Sequence, residues 1–90
     1  MSEQGGRRGL WKLMLKLPAL RGQLQVLTAH SSSLGSLCEA YDEASATLDR
    51  LRSRTSMKDG AMIAEYEMIC SEIETEVIQI CLDTGSNAPE

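Results

Sequence analysis

Apolar residues recur at helical spacing along most of the chain. From residue 20 to residue 48, every seventh position is apolar: Leu20, Leu27, Leu34, Tyr41 and Leu48. Neighbouring apolar positions widen this stripe (Leu24, Leu37, Cys38, Ala44 and Leu51). The alternation of Val, Ile and Thr that is typical of β-strands does not occur. The pattern therefore predicts an all-α protein, with a helical tract over residues 10–54 and a second helix over residues 57–83.

The first tract contains two positions that disfavour a continuous helix. Pro18 suits the first turn of a helix, so residues 10–17 form either a separate short helix or a bent extension. The serine-rich residues 31–36 are poor helix formers, and a break there would give three helices instead of two. The heptad phase is kept from Leu27 to Tyr41, and we therefore predict a continuous helix through the serines.

The second helix has two apolar faces. A core face is formed by Met62, Tyr66, Ile69, Cys70, Ile73, Val77, Ile80 and Cys81. The opposite side carries an outer row at alternating spacings of four and three, which is typical of coiled coils: Ala64, Met68, Ser71, Thr75, Ile78 and Leu82. A hairpin partner covers only one of these faces. Residues 10–17, a second copy of the chain, or a target protein must cover the other.

Acidic residues flank both sides of the outer row. Glu65, Glu72, Glu76 and Asp83 form an acidic stripe along one flank, while Glu67 and Glu74 follow the other. Charge is also divided along the chain, because residues 1–29 hold five basic groups and one acidic group, whereas residues 61–90 hold seven acidic groups and no basic one. This asymmetry suits antiparallel packing or partners of opposite charge.

Capping signals place the domain boundaries. Ser56 and Asp59 fit the capping signature of a helix start, and Gly85 is a natural helix stop. Residues 1–9 and 85–90 are expected to be flexible, which leaves one domain over residues 10–84. The predicted fold is an antiparallel helical hairpin or a small bundle with a short basic amphipathic N-terminal segment. A chain of 90 residues buries a limited core, so a homodimer is one expected source of additional burial.

The N-terminal segment has two faces of different character. Arg8, Lys12 and Lys16 recur every four residues, and an apolar face is formed by Leu10, Leu13, Met14 and Leu17, with Trp11 and Leu15 between the two. Such a segment suits an anionic membrane surface or the groove of a partner protein. Alternatively, it folds back over the outer row, so that its lysines meet the acidic residues.

The residues needed for catalysis or for a cofactor are scarce. One histidine and three cysteines without a C-x-x-C pair predict neither a catalytic arrangement nor a metal site, and no cofactor motif occurs. We interpret Cys38, Cys70 and Cys81 as small buried apolar residues. A net charge of −4 disfavours direct nucleic-acid binding. No apolar run is long enough to span a membrane, and a cytoplasmic location is expected.

Two short motifs resemble a known family. A long helix with Thr28-Ala-His30 near its middle, a polar turn, and a second helix with Ile63-Ala-Glu-Tyr66-Glu-Met68 resembles the small TraM/QseM-type quorum-sensing antiactivators of rhizobia and agrobacteria. The resemblance covers roughly residues 20–83, and the basic N-terminal segment and the three cysteines depart from it. It implies a cytoplasmic all-α protein that binds a LuxR-type transcriptional activator and inhibits it.

These observations together predict a non-enzymatic interaction protein. The expected partner is a transcriptional activator, and the alternative is a membrane-surface adaptor anchored by the basic segment. The predicted partner-binding residues are Glu65, Met68, Glu72, Glu76, Ile78, Leu82 and Asp83 on the second helix, with Leu10, Trp11 and Met14 on the N-terminal segment.

Overall fold

The computed structural model describes residues 2–53 and 60–86, with side chains over 5–53 and 60–83. In these residues the chain forms α1 (Ser2–Lys16), a short 3₁₀ helix (Pro18–Leu20), α2 (Arg21–Thr28), α3 (Ser32–Ser53) and α4 (Gly60–Ser86). No strand occurs among them. The predicted all-α bundle is confirmed. The predicted cap at Ser56 and Asp59 and the tail residues 87–90 lie outside the described residues.

The helix α1 differs most from expectation. Residues 1–9 were expected to be a flexible lead, but α1 begins at Ser2. It ends before Leu17, whose φ of −123° is non-helical, because the residue before a proline is disfavoured in the α region. Pro18 then opens the 3₁₀ helix. Residues 10–16 therefore belong to a separate helix, which is one of the two predicted alternatives, but this helix is longer than predicted and ends before Leu17.

The predicted continuous helix through the serines is wrong. The chain leaves the helical conformation between Thr28 and Ser32, slightly before the predicted weak segment. The Ser31 hydroxyl accepts a hydrogen bond from the Leu34 backbone N–H at 3.2 Å, which caps the start of α3. Serine is more favourable at the cap of a helix than in its interior. A break with a capped start at Ser31 is therefore more stable here than a continuous helix through the serines. At the other end of the chain, α4 continues through the predicted stop at Gly85 to Ser86.

The core lies where α3 meets α1 and α4. The buried residues of the α3 stripe are Leu34, Cys38, Tyr41, Ala44, Leu48 and Leu51, while Leu20 and Leu27 pack against the core half-buried. The buried residues of α4 are Cys70, Ile73, Val77 and Cys81. Arg52 pairs with Glu67 and Tyr41 with Glu74, so α3 and α4 run antiparallel, as predicted. All three thiols are free and buried, as expected.

One residue of the predicted α4 core face is misplaced. Met62 is 45% exposed. Successive residues of a helix are rotated by about 100°, which places Met62 near the edge of the apolar face, beside the half-buried Ile69 and Ile80. Val77, which is buried, lies closer to the centre of that face. The core face of α4 is therefore narrower than its apolar residues suggest.

Candidate functional site

The outer row of α4 remains largely open to solvent. Ala64, Ser71 and Thr75 are exposed, Met68 is 62% exposed and Leu82 is 56% exposed, whereas Ile78 is half-buried. The helix α1 packs against α3 and α2 instead of along this row. Two of the three predicted ways of covering the row therefore remain: a second copy of the chain or a target protein.

The two acidic flanks of α4 differ in their surroundings. Glu67 pairs with Arg52 at 2.7 Å, and Glu74 accepts a hydrogen bond from the Tyr41 hydroxyl, so this flank faces α3. The acidic stripe faces solvent instead, since all four of its residues are exposed: Glu65, Glu72, Glu76 and Asp83. Within α4, Asp83 accepts a hydrogen bond from Gln79 at 3.0 Å. The structure thus brings the exposed apolar row and the acidic stripe together on one side of α4.

The structure divides the predicted N-terminal binding residues between core and surface. Met14 is buried in the core, and Leu10 packs against it half-buried. Trp11 is 57% exposed and Leu15 is 67% exposed. Leu10 and Met14 therefore stabilise the fold, because they lie on the side of α1 that meets α2 and α3. Of the three predicted residues, only Trp11 presents a large apolar surface to a partner.

The basic face of α1 turns towards α3. Arg8 contacts Asp42 at 3.2 Å, and Lys12 contacts Asp42 at 2.9 Å and the Ser45 hydroxyl at 2.9 Å. The hypothesis that the lysines of this segment meet the acidic residues of α4 is therefore wrong for Lys12. The partner is a carboxylate that the sequence analysis did not single out. Asp42 is only 7% exposed, whereas the side chains of Arg8 and Lys12 are 62% and 32% exposed, so a buried carboxylate is reached by two cations from the surface.

The environment of Asp42 lowers its pKa. Burial by itself raises the pKa, but the hydrogen bonds and charges of Lys12 and Arg8 outweigh it, and the pKa in the folded protein lies below the ordinary value. A carboxyl group with a lowered folded pKa stabilises the protein above its unfolded pKa of about 3.9. This stabilisation is lost as the pH falls through the lower, folded pKa.

Asp42→Asn is expected to destabilise the protein by about 1–3 kcal/mol at pH 7, because a buried charged acceptor is replaced by a neutral one. The difference should shrink in strong acid, where Asp42 of the wild type is itself protonated. Urea unfolding at pH 7 and pH 2 measures both values. An equal loss at the two pH values would show that charge at Asp42 does not hold α1 in place. Asp49→Asn, at an exposed position of α3, is the matched control and should change little.

A cleft of about 380 Å³ lies between the end of α1, α3 and α4. Its walls include Lys16, Tyr41, Arg52, Cys70 and Glu74. Burial and then the hydrogen bond to Glu74 raise the pKa of Tyr41, and burial raises the pKa of the Cys70 thiol. Both groups are therefore protonated at neutral pH, in the form that is a poor nucleophile. The same holds for the Cys38 thiol, whose pKa burial and the charge of Glu39 raise to about 11.

A second recess between α3 and α4 was not anticipated. It has a volume of about 230 Å³. The residues that line it are Ala40, Glu43, Ala44 and Thr47 of α3 and Tyr66, Ile69 and Ile73 of α4. The two alanines of α3, Ala40 and Ala44, and the two isoleucines of α4, Ile69 and Ile73, are each spaced by four residues in the sequence. Periodicity alone, however, does not show whether such positions close into a core or leave a groove.

Comparison with family models, with curated proteins and with solved structures finds no match to this chain. Among the described residues, no group of three or more His, Cys, Asp and Glu side chains is placed to hold a metal ion. The described helices also include none with the length and apolar character needed to cross a membrane.

Proposed function

We propose that this protein is a non-enzymatic antiactivator that binds a LuxR-type transcriptional activator through the outer side of α4. The observation that supports this function best is the exposed row around Met68 with the acidic stripe beside it. Exposed apolar surface that is bordered by charge is typical of protein interaction sites. The motifs around Thr28 and Tyr66 that resemble quorum-sensing antiactivators point to the same class of partner.

The chemistry of this side of α4 suits the DNA-facing surface of an activator. Such a surface is rich in Lys and Arg because it binds phosphates. Met68 and the small side chains of the row would supply apolar contact, and Glu65, Glu72 and Glu76 would address the basic residues. Occupying this surface would prevent the activator from binding DNA, which is the proposed inhibitory mechanism.

The alternative of a membrane-surface adaptor has weaker support. Its anchor was expected to be the basic amphipathic segment, but Arg8 and Lys12 pair with Asp42, and Met14 is buried. Co-sedimentation of the protein with anionic vesicles tests this alternative directly.

The triple variant Glu65→Lys, Glu72→Lys, Glu76→Lys is expected to bind the activator at least about tenfold more weakly. The loss should lie mainly in the association rate and should shrink as salt is raised, because steering by exposed charges is screened over about 8 Å at physiological ionic strength. Association kinetics at two salt concentrations and repression in a reporter strain measure it. Helix content should remain unchanged, since the three residues are exposed.

A matched control separates site-specific loss from a general effect of charge. The variant Glu39→Lys, Glu43→Lys, Asp49→Lys changes the net charge equally at exposed positions of α3 and should repress like the wild type. Repression at the wild-type dose by the α4 triple variant would refute the acidic-stripe mechanism. Repression that is lost only in Trp11→Ala would instead move the binding site to α1.

A further inference from the structure

The large exposed apolar residues divide into two groups of opposite charge environment. Trp11, Leu15 and Val26 lie on α1 and α2, whereas Met62, Met68 and Leu82 lie on α4. The described side chains of residues 5–29 include five basic groups and no acidic one, and those of residues 60–83 include six acidic groups and no basic one. Of the five basic groups, Arg8 and Lys12 pair with Asp42, while Arg7, Lys16 and Arg21 are exposed cations of α1 and α2. The molecule therefore presents one cationic apolar surface and one anionic apolar surface.

The cationic surface is centred on α1. Arg7, Trp11 and Leu15 are spaced four residues apart, and all three are exposed. We call them the α1 stripe. They point away from the core because Gly9 and Leu13, on the opposite side of the same helix, are buried against the rest of the protein. The stripe thus offers a large aromatic ring and a leucine beside a cation.

The anionic surface, the outer row of α4, carries small side chains on either side of Met68. Ala64, Ser71 and Thr75 are small, so the row has space around Met68 for a large side chain. A thioether makes favourable contacts with aromatic rings. Glu65 and Glu72 of the acidic stripe stand beside the row, within reach of a basic group on an incoming helix.

We propose that the α1 stripe of one copy docks on the outer row of α4 of a second copy. Trp11 and Leu15 pack around Met68, and Arg7 lies against the acidic stripe. The competing arrangement, in which α4 packs on α4, brings two acidic stripes together, and like charges at an interface are unfavourable. The head-to-tail arrangement instead pairs the basic surface with the acidic one, which is a heterologous contact.

Trp11 is the single tryptophan of the chain and reports directly on this contact. Its emission is expected to shift to shorter wavelength as the protein concentration rises through the micromolar range, because docking removes the ring from water. Sedimentation velocity over the same concentrations should show a species larger than the monomer.

The decisive test is complementation between two variants. Trp11→Asp damages the α1 stripe, and Met68→Asp damages the outer row. Each is expected to weaken self-association at least about tenfold, since buried tryptophans dominate interface energies. An equimolar mixture should associate again, because one variant retains the row and the other retains the stripe. Val26→Asp, at a 61% exposed apolar position of α2 outside the α1 stripe, is the matched control and should associate like the wild type.

Several results would overturn the proposal. A wild type that stays monomeric to sub-millimolar concentration shows that the two surfaces do not bind each other. Self-association that persists in Trp11→Asp assigns the contact to α4 alone, and association that Val26→Asp also abolishes places it outside the stripe. A Trp11 shift that requires anionic vesicles assigns the stripe to lipid. The contact occupies the outer row and acidic stripe that are also proposed to bind the activator, so self-association and activator binding exclude each other at this surface. The test uses the chain alone, so its failure leaves the proposed inhibition of an activator to be judged separately.

Discussion

Replacing Gly9 with alanine is expected to destabilise the protein by about 3 kcal/mol, although alanine is the better helix former. A Cβ atom at Gly9 would overlap the carbonyl oxygen of Cys38 and lie 2.5 Å from its carbonyl carbon. These atoms belong to the backbone of α3, which cannot move aside as a flexible side chain does. The helix α1 must therefore shift away from α3, which weakens the contacts of Leu13 and the ion pairs of Asp42.

Gly22→Ala provides the matched control for this prediction. Gly22 is also helical, as the second residue of α2, but a Cβ atom there meets nothing within 4 Å. This substitution should stabilise the protein by about 0.5–1 kcal/mol through helix propensity alone. The midpoints of urea unfolding for the two variants should therefore move in opposite directions. If Gly9→Ala also moved the midpoint upwards, the close packing of α1 on α3 would be wrong.

The same glycines explain why α1 was predicted too short. Gly5, Gly6 and Gly9 lower helix propensity, and the segment was therefore expected to be a flexible lead. The absence of a side chain at Gly9 lets α1 approach the backbone of α3 closely, whereas a Cβ atom at Gly5 or Gly6 would make only ordinary van der Waals contacts with side chains of α3. The packing of α1 on α3 outweighs the poor propensity.

Periodicity predicted the antiparallel packing of α3 and α4 well. Leu34, Tyr41 and Leu48 repeat every seven residues, and Ile73 and Val77 fall on one side of α4, so each helix has a defined apolar side. Two such helices joined by a short connection bury these sides against each other. The exposure of the acidic stripe follows from the same geometry, since its residues lie away from the centre of the core face.

Periodicity could not identify which helices pack against each other. The N-terminal segment and α4 each have two faces, and the opposite charges of residues 1–29 and 61–90 favoured packing of the N-terminal segment against α4. The buried carboxylate of Asp42, between Arg8 and Lys12, binds α1 to α3 instead. In the sequence, nothing distinguishes Asp42 from the exposed acidic residues of the same helix, such as Glu39 and Glu43.

Replacing Val77 with aspartate should unfold the protein. Val77 is 0% exposed at the centre of the α4 core face. A carboxyl group there has no polar partner and costs several kcal/mol, against a total stability of about 5 kcal/mol for a domain of this size. Loss of the cooperative thermal transition and of most helical signal in circular dichroism is the expected result. Acid should partly restore folding, because the protonated carboxyl group is less costly to bury than the charged one.

Met68→Asp introduces the same side chain into the same helix nine residues earlier. Because Met68 is 62% exposed, the new carboxylate remains in water and the thermal transition should stay within a few degrees of that of the wild type. Unfolding by both substitutions would mean that the outer row is covered within the chain, and it would remove the basis for a binding surface there. A folded Met68→Asp beside an unfolded Val77→Asp would establish that α4 has one face in the core and another in solvent, which a binding surface on the outer row requires.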